Sequence, residues 1–310
     1  MFENLIYYLS THYSILILTT TMLGLLIGSF LNVIISRLPI LIEQNFLADS
    51  VCYLAENQQH NILRLAAQDA VVTVRGMAAS NFWHLSSHCK ACGSLIKLCK
   101  IIPLIGFILT RSRCKKCTRT ISLRDTFIEG LCGAMFGFLA WKWNWGWPLA
   151  GSLTLTAALI ALAFIDLDTK FLPDDLTLPL LWMGLLFNLF FNQISLVDSV
   201  LGAVCGYLAL WLFFHFFKLF TGKESFGYGD FKLLAALGAW LGWSMLPFVI
   251  ILSSIMGAFS GMLWVICSKS RIEQRIPFGP YLAIAGWITM NWGGILKVFI
   301  YRSLGEPGLC

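Results

Sequence analysis

LAGSLTLTAALIALAFIDLD, residues 149–168, decides the fold. Its first 17 residues, Leu149–Ile165, carry no charged side chain, and the run ends at Asp166 and Asp168. A helix needs about 20 apolar residues to cross the hydrocarbon core of a bilayer. In lipid the backbone must satisfy its own hydrogen bonds, which leaves only helices or a closed barrel. Outward from this stretch the same pattern recurs at Tyr13–Ile35, Thr126–Ala140, Leu176–Phe191, Val200–Leu219, Phe231–Leu241, Met245–Cys267 and Gly279–Val298. The chain of 310 residues is 58% hydrophobic and 12% charged, so it reads as an all-α polytopic membrane protein with about eight transmembrane helices. The Phe231–Leu241 block is short and holds Gly238, which fits a tilted span or one partly buried in protein. No Lys or Arg precedes the first block and no small-residue cleavage site follows it, so it reads as a retained span.

Charge sets the orientation. The net charge of +6 matters less than its placement, and nothing in it points to nucleic acid. Twelve of the 22 Lys and Arg residues lie between Ser36 and Arg124, in the one long polar region. Basic residues collect on the cytoplasmic side, so this region is expected in the cytosol and the N-terminus outside. Alternating the spans then leaves only Lys142, Lys297 and Arg302 outside, and the short loops agree with the long one. Both termini are expected on the outer side. The external connection Trp141–Pro148 reads Trp-Lys-Trp-Asn-Trp-Gly-Trp before its proline, an aromatic belt at the membrane surface. The organisation expected is a first span over 1–36, a cytosolic loop domain over 37–124 and a seven-span membrane domain over 125–310.

Within the loop stand Cys89-Lys-Ala-Cys92 and Cys114-Lys-Lys-Cys117. Two CxxC pairs about 20 residues apart match a tetrahedral four-thiolate zinc site. A cytosolic disulfide between them would not persist. Such a closed ligand set leaves no position for water, so Cys89, Cys92, Cys114 and Cys117 predict a structural zinc in a small domain. His84 or His88 replacing one cysteine, or redox and unliganded thiols, are the other readings. Cys52, Cys99, Cys132, Cys205, Cys267 and Cys310 have no partner at metal spacing and read as small apolar residues.

Phe226-Gly227-Tyr228-Gly229-Asp230 opens another apolar helix. Its glycines allow positive φ or close approach to another segment, and Asp230 stands where a helix N-terminus favours an anion. The predicted topology brings Asp166 and Asp230, 64 positions apart, to the same cytosolic membrane border. Ionisable groups at this depth are costly and usually functional, and two carboxylates at one membrane face are what an aspartyl protease needs. Two close carboxylates share a proton, so that one activates water and the other donates to the amide. Asp168, Asp174 and Asp175 compete with Asp166, although Pro173-Asp174 also suits a helix cap. Lys232 reads as a snorkelling lysine or as a group that tunes the pair.

Together these residues resemble the bacterial type IV prepilin leader peptidase and N-methyltransferase family, which also serves type II secretion pseudopilins. The resemblance begins at Gly28-Ser-Phe-Leu-Asn-Val-Ile-Ile-Ser-Arg-Leu-Pro39 and takes in both CxxC pairs. It continues through Ile165–Leu180 and closes with Gly227-Tyr-Gly-Asp-Phe-Lys-Leu-Leu-Ala-Ala-Leu-Gly-Ala-Trp240. It implies that Asp166 and Asp230 are catalytic, and that the substrates are prepilins and pseudopilins cut after a glycine that follows a short basic leader. It implies a bacterial inner-membrane enzyme that also methylates the new N-terminus with S-adenosylmethionine. The chain departs from the family pattern at Ser112, at Asp125-Thr126-Phe127, and at Lys90 and Lys100. The proposed acids and the four cysteines are untouched by these departures. A peptidase without methyltransferase activity, and a non-enzymatic zinc-bound membrane scaffold, are the alternatives.

Overall fold

The computed structural model describes residues 12–57, 123–221, 227–268 and 277–303. Among the described residues it is all-helical: α1 (Tyr13–Asn57), α2 (Leu123–Lys142), α3 (Trp147–Thr169), α4 (Asp174–Phe191), α5 (Leu196–Thr221), α6 (Tyr228–Leu241), α7 (Leu246–Ser268) and α8 (Gly279–Ser303). A single 3₁₀ turn, Trp243–Met245, joins α6 to α7. Each helix overlaps one apolar block of the sequence. Five stretches, in α1, α3, α4, α5 and across the turn into α7, are long and apolar enough to cross a membrane. Cys89, Cys92, Cys114 and Cys117, with most of the 37–124 loop, lie outside the described residues.

The first helix departs from the expected boundary. It runs past Ile35 and through Pro39 to Asn57. Apolar helices tolerate such prolines because other groups can re-satisfy the freed backbone. The chain falls into two compact units, Gly24–Gly133 and Met1–Leu23 with Ala134–Cys310. Inside the first, Asn32 Nδ2 donates to the Asp125 carbonyl at 2.8 Å, joining α1 to the start of α2. A Cβ on Gly28 would stand 2.8 Å from Glu129 Cα, so the two helices touch at backbone distance there.

The second unit is built around α6. Ten of its fourteen residues are buried, from Asp230 through Trp240. A helix apolar on every side belongs in the interior of a bundle, which is why this short span packs in protein. Phe231, Leu233, Leu234 and Leu237 form the centre of the core with Leu159, Leu162, Leu180 and Leu282 from α3, α4 and α8. Helix α5 meets α6 through glycine. Cβ atoms on Gly202 or Gly238 would each run into the other's carbonyl, and one on Gly206 would stand 2.6 Å from the Leu234 oxygen. Lipid supplies no hydrophobic drive between helices, so small residues that let backbones approach do this work. The other face of α5 carries exposed Leu208, Leu212, Phe216 and Phe220 at helical spacing, a surface suited to acyl chains.

Polar groups inside the bundle are bonded across helices. Asn188 of α4 gives its amide to the Ala239 carbonyl at 2.8 Å, Ser199 of α5 donates to the same carbonyl, and Trp240 Nε1 reaches the Leu180 oxygen at 2.9 Å. These bonds pin the far end of α6 to α4 and α5. Gly238→Ala is expected to lower stability by about 1–3 kcal/mol through overpacking. Gly294→Ala, where a Cβ meets nothing within 4 Å, is expected not to destabilise. Thermal unfolding of both variants in detergent checks the contrast.

Candidate active site

Helix α3 begins after Gly146 with Pro148 in its first turn and ends when Lys170 enters the left-handed region at φ 55°. The Lys170 N–H closes that end on the Asp166 carbonyl at 2.8 Å. Asp166 therefore sits in the last turn of α3, and its residue is only 4% exposed. Asp230 sits in the first turn of α6 and is 6% exposed. The chain leaving α3 after Asp166 touches the start of α6 beside Asp230, at Leu172 and Gly229.

Backbone amides hold both. Gly279, the first residue of α8, donates its N–H to Asp166 Oδ2 at 2.9 Å. Gly227 donates to Asp230 Oδ2 at 3.3 Å, while the Asp230 N–H returns to the Gly227 carbonyl at 3.2 Å. The second arrangement is a reciprocal helix cap, with the aspartate in the acceptor role usual for Glu or Gln. Each acid thus has a backbone donor from a helix start, where amides lack intrahelical acceptors.

The glycines of the Gly-Tyr-Gly-Asp stretch divide their roles. Gly227 takes an ordinary extended conformation at φ −82°, ψ 147°, and among the described glycines only Gly242, at φ 80°, lies in the range that side chains rarely adopt. The stretch therefore does not use left-handed backbone. Close approach is instead required at Gly229, where a Cβ would lie 2.6 Å from Leu172 Cβ. Leu172, buried just beyond the Lys170 turn, brings the chain leaving α3 against the start of α6.

The competing acids separate by environment. Asp168, Asp174 and Asp175 are all exposed, and Asp166 alone of the four is buried. Asp174 is the first residue of α4, directly behind the N-cap residue Pro173. Both its oxygens are taken by Lys232 Nζ at 2.6 Å. Lys232 is accordingly an ion-pair partner that links α4 to α6. Two residues near the pair, Gly279 and Leu172, carry no acid-base chemistry and were not singled out from sequence. The only signal for the first is the Phe278-Gly279-Pro280 helix start. Among the described residues no group of three or more His, Cys, Asp or Glu is placed to hold a metal ion.

What this geometry can do is limited and specific. Two carboxylates that interact, buried at helix ends, can hold one proton between them and move it to or from a bound water or amide.

The family described as the type IV leader peptidase family matches residues 153–262, and the bacterial peptidase A24 N-terminal domain matches residues 22–143. The chain is 44% identical over 277 residues to a prepilin leader peptidase/N-methyltransferase of Stutzerimonas stutzeri, covering 89% of this chain and 91% of that one. It is 45% identical to the protein of that name from Aeromonas hydrophila, over 87% of this chain and 88% of the other. The Neisseria gonorrhoeae protein of the same name is 42% identical over the same two shares, 87% and 88%. No solved structure matches the chain.

The Asp174–Lys232 pair has a measurable consequence. Its side chains are 52% and 28% exposed, a setting in which an ion pair contributes about 0.2–1 kcal/mol and is screened by salt. Asp174→Asn should lower the unfolding midpoint slightly at low ionic strength and leave it unchanged at high ionic strength.

Proposed function

The chain belongs to the type IV leader peptidase family, and from that premise we propose that it is a bifunctional membrane enzyme, an aspartyl endopeptidase and N-methyltransferase acting on type IV prepilins. It removes the short basic leader after a glycine and methylates the new N-terminal residue. The observation that carries the peptidase half is the pair itself. Asp166 and Asp230 come from segments 64 positions apart, yet both are buried at the ends of helices whose flanking residues Leu172 and Gly229 touch, and both accept backbone N–H bonds, while the rival acids stay exposed.

The pair works with one proton. Its ionised member takes a proton from water as the water oxygen attacks the scissile carbonyl carbon. The protonated member then gives its proton to the amide nitrogen as the C–N bond breaks. The leader leaves with a new carboxylic acid, which then gives its proton to solvent or to the freed amine of the mature chain, and the proton of the pair now rests on the opposite carboxyl. No covalent intermediate is needed. Glycine at the cut leaves the backbone open at a crowded site. The free amine is the methyl acceptor, and S-adenosylmethionine supplies the methyl group. Pseudopilins of type II secretion offer the same junction and are further substrates.

The membrane arrangement follows the charge distribution. Eight spans put both termini on the periplasmic side of the bacterial inner membrane and the two acids at its cytosolic border, where a leader emerges. Residues 37–124 form the cytosolic domain between the span over 1–36 and the peptidase domain over 125–310. Cys89, Cys92, Cys114 and Cys117 would hold a structural zinc that ties two distant parts of that domain together and takes no part in chemistry. Metal analysis of the purified protein is expected to find about one zinc per chain, lost in a Cys89→Ser/Cys114→Ser variant.

The deciding experiment follows one purified prepilin with the protein in detergent and S-adenosylmethionine present. Mass analysis of the product reads cleavage and methylation together. Asp166→Asn and Asp230→Asn are each expected to slow cleavage by about 10²–10⁴-fold, while methylation of an already cleaved pilin continues. Normal cleavage by either folded variant would remove that residue from the catalytic pair.

A further inference from the structure

The charged pair does not account for Gly279. This residue opens α8, far from both acids in sequence, and two independent features bind it to Asp166. Its N–H is 2.9 Å from Asp166 Oδ2. A Cβ at Gly279 would stand 2.6 Å from that same oxygen, 3.0 Å from Asp166 Cγ and 3.2 Å from Asp166 Cβ. The contact is therefore with the whole carboxyl group, and space as well as a donor is needed there.

The local geometry explains the choice of residue. Leu282 donates to the Phe278 carbonyl at 3.2 Å and Tyr281 to the same oxygen at 3.1 Å, so the helix is already turning at Phe278. Amides in the first turn have no carbonyl four residues back to meet. The Gly279 N–H consequently points out of the helix start, and Asp166 is its acceptor. A side chain at this position would keep the N–H and displace the acid it serves.

We propose that Gly279 is a positioning residue for the peptidase reaction, fixing Oδ2 of Asp166 with its amide so that the other oxygen, Oδ1, meets water and substrate. The inference rests on the assignment of Asp166 to the catalytic pair. It makes the start of α8 a third component of the site beside the ends of α3 and α6. Gly279 touches no reacting atom itself; it limits how far the carboxyl can rotate. A displacement of about 1 Å at a reacting group can cost about 10²-fold in rate.

The test uses the full chain in detergent, a synthetic prepilin peptide and three variants. Gly279→Ala is expected to lower kcat for cleavage by about 10–100-fold, with KM within about twofold and methylation of a pre-cleaved peptide unchanged. Gly294→Ala, on the same helix with nothing within 4 Å of the added methyl, is expected to cleave at the wild-type rate. Wild-type kcat in Gly279→Ala would overturn the positioning role, while inactivity of Asp166→Asn beside it would leave the catalytic pair standing. Normal cleavage by Asp166→Asn would overturn both.

Hydrogen exchange reads the same contact without altering Gly279. The Gly279 amide should be protected in the wild type and in Asp166→Asn, which keeps an oxygen acceptor. It should exchange freely in Asp166→Ala while amides at residues 283–285 stay protected. Free exchange in the wild type would overturn the inference even if Gly279→Ala proved too unstable to assay.

Discussion

Removing a carboxylate from water costs several kcal/mol unless protein dipoles and hydrogen bonds take over from solvent. Everything about the second unit is arranged around meeting that cost twice. Asp166 and Asp230 lie in terminal turns, where helix starts supply amides with no intrahelical acceptor. Gly279 serves one acid and Gly227 the other. At mid-span no such donors exist, because every interior amide is committed to its own helix. Three helix ends therefore have to converge, and the packing of α3, α6 and α8 is what brings them there.

Convergence of that kind requires rigid helices at close range. The glycine contacts between α5 and α6 let the backbones touch, and Gly184 of α4 leaves room for the Trp240 ring, which a Cβ would approach to 2.6 Å. The bonds from Asn188 and Ser199 to the Ala239 carbonyl hold the opposite end of α6. A helix fixed at its far end and packed on all sides cannot slide to relieve the charge at its first turn. A helix so packed holds Asp230, in its first turn, in one place beside the chain that leaves α3.

The helices were legible because apolar block length is a strong signal. Among the described residues each of the eight blocks falls in a helix, and the short Phe231–Leu241 block, marked by its length and Gly238, is the most buried one. The apolar run ends at Ile35, but the helix continues through Pro39 to Asn57, because a helix outlasts its apolar block where polar residues can keep its backbone bonds. Asp166 and Asp230 were singled out by their place at span ends together with the family resemblance, and the structure buries both. Asp174 could not be discounted, for only the position of Lys232 shows that its oxygens are occupied. Gly279 was invisible for a deeper reason. Its contribution is a backbone N–H, which every residue but proline carries, so the side-chain alphabet does not mark it.

The membrane-border placement proposed for the pair would also answer a chemical need. Hydrolysis of an amide consumes water, which the hydrocarbon core does not contain, yet a bulk-solvated carboxylate pair would lose the coupling that lets it share a proton. The left-handed turn at Lys170 stops α3 within one turn of Asp166, and Leu172 then folds back against Gly229. The acids are thus covered by protein from one side, while exposed Asp168, Thr169 and Lys170 put polar groups on the neighbouring surface. A longer α3 would carry Asp166 away from that surface, and a side chain at Gly229 would push the two segments apart. The length of one helix and the absence of one Cβ together set how dry the pair can be while water still reaches it.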